Sequence, residues 1–311
     1  MKRILPFLHV CCLFAPVVGV ESPEGFAVWS KGGHEVAELK YARLAKNQGV
    51  VAGSMTTLVK RASFSDIECN ISFDGKFVAF ARQLAHHNGC CTDNPGDYHA
   101  FANYDVYIAR IDGQLPAKPV RIGYGYWPSW GDDSDGPVKT LYYSKTSGSG
   151  VGTGNVTVQK ATVKDDGTFS GPVAHHSIRG NFVMTSPDGS KIAYRTQGVD
   201  VWDIARNKRM PAGGGCHPAW CSDSYWLMWA RRNVAAYHNG SRVYVGTSGL
   251  HDYHYGCAND MSWVIGRIGA SGNDQNTDHA IIAYPLDASK PGEPPRWAVD
   301  KTNGLQISSG T

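Results

Sequence analysis

An all-β chain folded as a propeller of about six blades, with five or seven as alternatives, is what the sequence predicts. The first observation is a set of turns of one design at 72–75 (SFDG), 131–134 (GDDS), 186–189 (SPDG), 221–224 (CSDS) and 258–261 (ANDM). The second is that an apolar strand follows each turn, namely FVAF from Phe77, TLYYS from Thr140, KIAY from Lys191, WLMW from Trp226 and SWVIG from Ser262. The third is their spacing: the turn aspartates at 74, 133, 188, 223 and 260 step by 59, 55, 35 and 37 residues. A carboxylate in such a turn accepts from the backbone two residues on, and glycine supplies positive φ without steric cost. Repeats of this length made of short strands point to propeller blades.

Taken from the start, residues 1–19 read as an export leader, with Lys2 and Arg3 ahead of an apolar run that is short for a membrane span. Residues 20–311 are then one domain, secreted or periplasmic, with an insertion around 83–106. No later stretch is apolar and long enough to span a bilayer. Within the domain, GFAVWS from Gly25 suits a strand. HEVAELKYARLAKN from His34 has apolar residues at helical spacing and predicts a helix.

The insertion, QLAHHNGCCTDNPGDYHAFANYD, is rich in Gly, Pro, Asn and Asp and reads as a long ordered loop, with a strand following at 107–111. GDDSDG at 131–136 gathers three carboxylates but lacks the spacing of an EF-hand, so a solvated turn is the better account. The strand HAIIAYPL from His279 is expected to complete a blade begun near the N-terminus, which would hide the sheet edges of an open ring.

Six cysteines follow the leader: Cys69, Cys90, Cys91, Cys216, Cys221 and Cys257. In an oxidising compartment they predict up to three disulfides among about 15 pairings. Cys216 and Cys221 flank one strand, roughly 16 Å apart at the usual rise, and so do not pair with each other. The net charge of +3 is spread along the chain and gives no nucleic-acid footprint. A serine hydrolase is disfavoured by the absence of a G-x-S-x-G elbow.

SFDGKFVAFAR, TSPDGSKIAYRT with VDVWDI, and HPAWCSDSYWLMWA resemble the SPDG repeats of TolB-like β-propellers. The resemblance implies that each turn joins the innermost strand of a blade to the next, so that equivalent residues converge on the central channel. Four residues before each turn stand Glu68, Trp127, Phe182, His217 and His254, with His251, Asp252, Tyr253 and Tyr255 beside the last. Imidazoles, phenols and a carboxylate in one place suit a divalent metal (Mn, Ca or Zn) or proton transfer. The plain alternative is that each histidine bonds a neighbouring carbonyl and the channel is packed.

A more distant resemblance, to oligogalacturonate lyase-type propellers, implies a metal-assisted polysaccharide lyase. It carries over only His217 and His254 as metal ligands, with Tyr253 beside them as a catalytic candidate. The ring positions include no Gln, so the ligand set of that family is not complete here. Tyr126, Trp127, Trp130, Trp220 and Tyr255, with Glu68, are the candidate ligand-binding residues, the aromatic faces being suited to stacking on sugar rings. The partner so implied is an extracellular polysaccharide or oligosaccharide. The alternative is a non-catalytic propeller that binds a protein or carbohydrate partner.

Overall fold

The computed structural model describes the backbone of residues 25–301 apart from connections at 32–37, 46–48, 60–65, 85–103, 147–153, 222–223, 231–233, 239–240, 247–250, 258–262, 270–279 and 286–296 and a few single positions, and most of the side chains between 25 and 227. The leader thus lies outside the described residues, as do the fifth turn, at 258–261, and the interior of the insertion.

Among the described residues every regular element is a strand, and the strands form six four-stranded antiparallel sheets. The first sheet holds β1 (Gly25–Lys31), β2 (Glu38–Ala45) and β3 (Gly49–Val50), with β4 (Thr56–Thr57) also on β2. The second runs β5 (Asp66–Ile71), β6 (Phe77–Gln83), β7 (Tyr104–Arg110) and β8 (Val120–Tyr124). The third runs β9 (Tyr126–Trp130), β10 (Val138–Thr146), β11 (Asn155–Lys164) and β12 (Phe169–Arg179). The fourth runs β13 (Asn181–Thr185), β14 (Lys191–Arg195), β15 (Val199–Asp203) and β16 (Lys208–Gly213). The fifth runs β17 (Cys216–Trp220), β18 (Trp226–Ala230), β19 (Val234–His238) and β20 (Ser241–Gly246). The sixth runs β21 (His251–Cys257), β22 (Trp263–Gly269), β23 (Ala280–Pro285) and β24 (Trp297–Lys301).

The first strands β1, β5, β9, β13, β17 and β21 lie side by side in succession, and β24 lies beside β3. This radial arrangement is that of a propeller.

Two expectations fail here. The segment at His34 forms no helix over its described part. Leu39, Ala42 and Leu44 of β2 are buried, and the strand pairs with β1 from Gly25↔Leu44 to Lys31↔Glu38. The ladder and the burial of this face outweigh helix propensity. The strand at Ala280–Pro285 does not reach back to the N-terminus. It is the third strand of a sheet built from consecutive segments, paired with β22 and β24, so each sheet is completed locally.

The turns do what their residues require. In the second sheet Ser72 Oγ donates to Asp74 Oδ1 at 2.7 Å, the Lys76 and Phe77 amides donate to Asp74 Oδ1 and Ser72 Oγ, and Gly75 takes φ 70°. The fourth sheet repeats this pattern with Ser186, Asp188, Ser190, Lys191 and Gly189. Adjacent turns also hold one another. The Phe73 amide donates to Ser134 Oγ at 2.8 Å, the Asp132 amide to Pro187 O at 2.9 Å, and the Asp188 amide to Ser224 Oγ at 2.8 Å. GDDSDG is a solvated turn as expected, with Asp133 accepting from the Thr140 amide and hydroxyl, each at 2.7 Å.

These contacts place the turns of sheets two to five on one end of the ring, the turn face. Strands alternate in direction, so the connection after each second strand returns to the opposite end. That loop face receives the insertion between β6 and β7, the 147–153 connection, and the Thr196–Gln197 turn. Gln83 pairs with Tyr104, which makes the insertion a hairpin connection.

An inter-sheet ion network backs the turn face. The Lys139 ammonium is fully buried, 2.9 Å from both Asp74 and Asp165, and Lys76 lies 3.3 Å from the same two carboxylates. The approach to Asp74 Oδ2 is off-line and amounts to an ion pair rather than a hydrogen bond.

Candidate functional site

The first strand of five sheets carries the same defect, and it falls at the positions picked out by the spacing from the turns. Ile67 pairs with Ala81 and Asn70 with Ala79, so two residues, Glu68 and Cys69, stand where the partner strand has one. The same three-against-two step encloses Trp127 in β9, Phe182 in β13, His217 in β17 and His254 in β21. Each is a β-bulge, which re-aims the side chain of its first residue. In the three copies whose bulge residue is described in full, that residue has positive φ: Glu68 at 52°, Trp127 at 49° and Phe182 at 50°. Left-handed backbone costs a non-glycine residue roughly 1–2 kcal/mol, and its recurrence at one register is a feature of the ring rather than an accident.

What these residues touch differs from copy to copy. Glu68 is half-buried. Trp127 packs on Phe182 with ring centroids 5.1 Å apart and on Tyr126 at 4.9 Å, and Tyr126 meets Tyr104 edge-on at 4.7 Å. This aromatic belt crosses the second, third and fourth sheets. Near its start, Asp66 is fully buried and takes two 2.7 Å hydrogen bonds from Arg82, whose guanidinium also lies over the Tyr107 ring at 5.0 Å. Such a bidentate pair is geometrically stiff. The side chains of His217, Tyr253, His254 and Tyr255 lie outside the described residues, as do those of His251 and Asp252; only their place in the ladder is described.

The aromatic candidates are placed differently from the expectation. Tyr126, Trp127, Trp130 and Trp220 are 1–7% exposed and belong to the core. Trp130 and Trp220 are each the last residue before a turn, and each indole Nε1–H donates to a carbonyl of the preceding sheet, Asn70 O at 3.0 Å and Met184 O at 3.1 Å. Both acceptors stand two residues before their own turn, so one bolt is used twice. A buried indole needs a partner for its N–H, and the neighbouring sheet supplies it. These faces are therefore committed to holding sheets together and do not offer a stacking surface.

Proton chemistry among the described residues is correspondingly restricted. Burial pushes the Tyr142 phenol up to about 12, helped by Asp133, Asp132 and Asp188. Burial likewise brings Tyr143 to about 12, Arg121 opposing and Asp105 assisting. Both remain protonated near neutrality and do not supply a phenolate base. Burial, then His175, lowers His176, so this imidazole stays neutral. Among the described residues no three His, Cys, Asp or Glu groups converge as a metal site, a statement that does not extend to His217 or His254. Cys221 is buried and disulfide-bonded, and Cys69 Sγ lies 3.8 Å from Val28 O in the core.

One described pocket was not foreseen. An open cavity of about 410 Å³ is lined by Arg179, Thr196, Gln197 and Arg209. Arg179 ends β12, Thr196 and Gln197 form the β14–β15 turn, and Arg209 reaches toward them from β16. None belongs to the turn motif, so the repeat carries no signal for it. Among the described residues no helix is long and apolar enough to cross a membrane.

Radial four-stranded sheets, linked through serine–aspartate turns, define a β-propeller. The structure is similar to that of a putative TolB from Agrobacterium tumefaciens, at 13% identity over 79% of this chain and 84% of that one, with a TM-score of 0.51. It is also similar to TolB from Acinetobacter baumannii, at 14% identity over 91% and 70% of the two chains, with a TM-score of 0.47. A gluconolactonase from Xanthomonas campestris gives 12% identity, 78% coverage of both chains and a TM-score of 0.46. No family model and no curated protein sequence matches the chain. At these identities the likeness is one of fold, and the Agrobacterium structure carries it.

Proposed function

We propose that this chain is an exported, six-bladed propeller whose loop face binds an extracellular polysaccharide or oligosaccharide around His217, His254 and Tyr253. The observation that supports this is the recurring bulge. It sets His217 and His254 at the register where Glu68, Trp127 and Phe182 are held in left-handed backbone, on the end of the ring that also carries the long connections. Strain repeated at one register is a pointer to function. The β24–β3 contact supports a closed ring of six blades, and the disulfide at Cys221 agrees with export.

Two imidazoles with Glu68 would form a mixed nitrogen and oxygen donor set, which fits zinc or manganese better than calcium. A metal held there would polarise the carboxylate of a bound uronate and so favour transfer of its C5 proton to a base while the bond from C4 to the glycosidic oxygen breaks, leaving an unsaturated sugar end, the chemistry of a lyase. The residues of the chain would orient the sugar, with Tyr253 as a catalytic candidate. The packing of Trp127 on Phe182 favours a second reading, in which the axis is filled on one side and the propeller binds a carbohydrate or protein without turnover.

One experiment separates these outcomes. Acidic and neutral polysaccharides are assayed for binding and for unsaturated-product absorbance, with and without chelator, on wild type and on the His217→Ala/His254→Ala double variant. Chelator-sensitive product that disappears in the double variant is the lyase outcome. Binding without product, lost in the double variant, is the binding-module outcome. A folded double variant that keeps every affinity and activity of the wild type places the site elsewhere.

A further inference from the structure

We infer that Arg195, left without a counter-charge by Asn181, is the residue that takes the carboxylate of an acidic sugar at the loop-face end of the inner strands. This rests on the glycan reading above and narrows it to uronate-containing chains. Asn181 opens β13 and Arg195 ends β14, and the two stand directly opposite in the ladder, so their side chains share one face of the sheet. Ala193, two residues before Arg195, and Val199, opposite Arg195 in β15, lie on that face. Both belong to the core packed between the fourth and fifth sheets, together with Trp220 and Leu227. The rung therefore faces the fifth sheet, whose β17 lies beside β13 and carries His217 at its bulge.

The second sheet shows what such a rung looks like when the chain neutralises it. Asp66 of β5 stands opposite Arg82 of β6 and takes two 2.7 Å hydrogen bonds from it. Arg121 and Arg209 are likewise held by the buried carboxylates of Asp105 and Asp200. In the fourth sheet an amide stands where the second has its acid. Asn181 is 8% exposed and its Oδ1 has no hydrogen-bond partner, the buried Nε of Arg195 has none either, and no carboxylate among the described residues pairs with Arg195.

Arg195 is half-buried, and its guanidinium lies over the Phe182 ring at 5.8 Å, beside the left-handed backbone of that bulge residue. A partly desolvated cation without an acid is a cost to the chain that a bound anion removes. The exposed part of the guanidinium keeps N–H donors in a planar fork, the geometry that matches a carboxylate. The register extends the argument to the sixth sheet. There Tyr253 and Arg267 form the same rung, one step before the bulge at His254. The two sheets that flank that of His217 thus each place an arginine at this level of the ladder. Cations at one level on both sides of the proposed site favour an acidic sugar over a neutral one.

The test uses the full mature chain and two probes, a tri-galacturonate oligosaccharide and its methyl ester. Titration calorimetry should show wild type binding the acid at least tenfold more tightly than the ester, and more weakly as salt rises. Asn181→Asp is the decisive variant. It recreates the Asp66–Arg82 arrangement, so it should raise the melting temperature while cutting acid affinity tenfold or more, a combination that a purely structural role does not produce. Arg195→Gln should bring acid affinity down to that of the ester, and Arg195→Lys, which keeps the charge but not the fork, should fall between. Equal binding of acid and ester by wild type, or a full preference for the acid in both Asn181→Asp and Arg195→Gln, overturns this inference and leaves the histidine site standing. Acid binding lost in Asn181→Asp but kept in the histidine double variant supports it and refutes the histidine site. Wild type that binds neither probe overturns the acidic-glycan reading and this inference with it.

Discussion

Replacing Lys139 with methionine tests whether the sheets are held by a buried charge. The ammonium is 0% exposed, while its partners Asp74 and Asp165 are 9% and 41% exposed. An exposed ion pair contributes about 0–1 kcal/mol, whereas stripping the partner from a buried one costs roughly 3–5 kcal/mol. Asp165 reaches solvent and Lys76 still lies 3.3 Å from Asp74, so the lower end of the buried range applies, about 3 kcal/mol. For a chain of this size that lowers the melting temperature by about 6 °C.

The pH dependence gives the sharper check. In the wild type, burial raises the Asp74 carboxyl, but Lys139, Ser72 and the Lys76 amide more than offset it, leaving the group below its ordinary value. Its stabilisation is therefore complete above the unfolded pKa, about 3.9, and is lost as pH falls through the lower folded value. Without Lys139, burial is less opposed, the carboxyl rises, and charged Asp74 becomes a liability near neutrality. The gap between variant and wild type, measured by urea melts followed through tryptophan fluorescence, should shrink as pH drops from about 7 to about 3. Adding Asp74→Asn to the variant should restore part of the loss at neutral pH. A gap below about 0.5 kcal/mol, or one that does not change with pH, would refute the network.

Two further substitutions test the turn face. Gly189→Ala places a methyl at φ 70° against the Tyr142 hydroxyl and should cost about 2 kcal/mol in the same melts, whereas an isolated loop glycine would tolerate alanine. Trp130→Phe should cost about 2–3 kcal/mol, because it leaves the Asn70 carbonyl unpaired and opens space between two sheets, without altering binding to any glycan. A change in glycan affinity with no loss of stability would return Trp130 to the list of binding residues.

The repeat was legible because its chemistry is local. A serine, an aspartate and a residue tolerant of positive φ within four positions specify a turn, and the apolar strand after it specifies a hairpin. The same locality allowed Glu68, Trp127, Phe182, His217 and His254 to be aligned, since a fixed distance from a turn is also a fixed place in the ladder. The segment around Glu38–Ala45 shows the limit. Its apolar residues suit helix and strand alike, and only the facing β1 decides between them.

Sequence alone therefore determined the all-β class, the turns, the hairpins that follow them and the register of the inner strands, all set by residues a few positions apart. Tertiary structure alone decided that Trp130 and Trp220 bolt neighbouring sheets, that β23 stays within its own sheet, and that Arg179 and Arg209 meet across one pocket. Each of these depends on which chain segment lies opposite. A tryptophan is equally apt to face a sugar or a carbonyl, and two arginines 30 positions apart line one pocket only when their two adjacent sheets have packed.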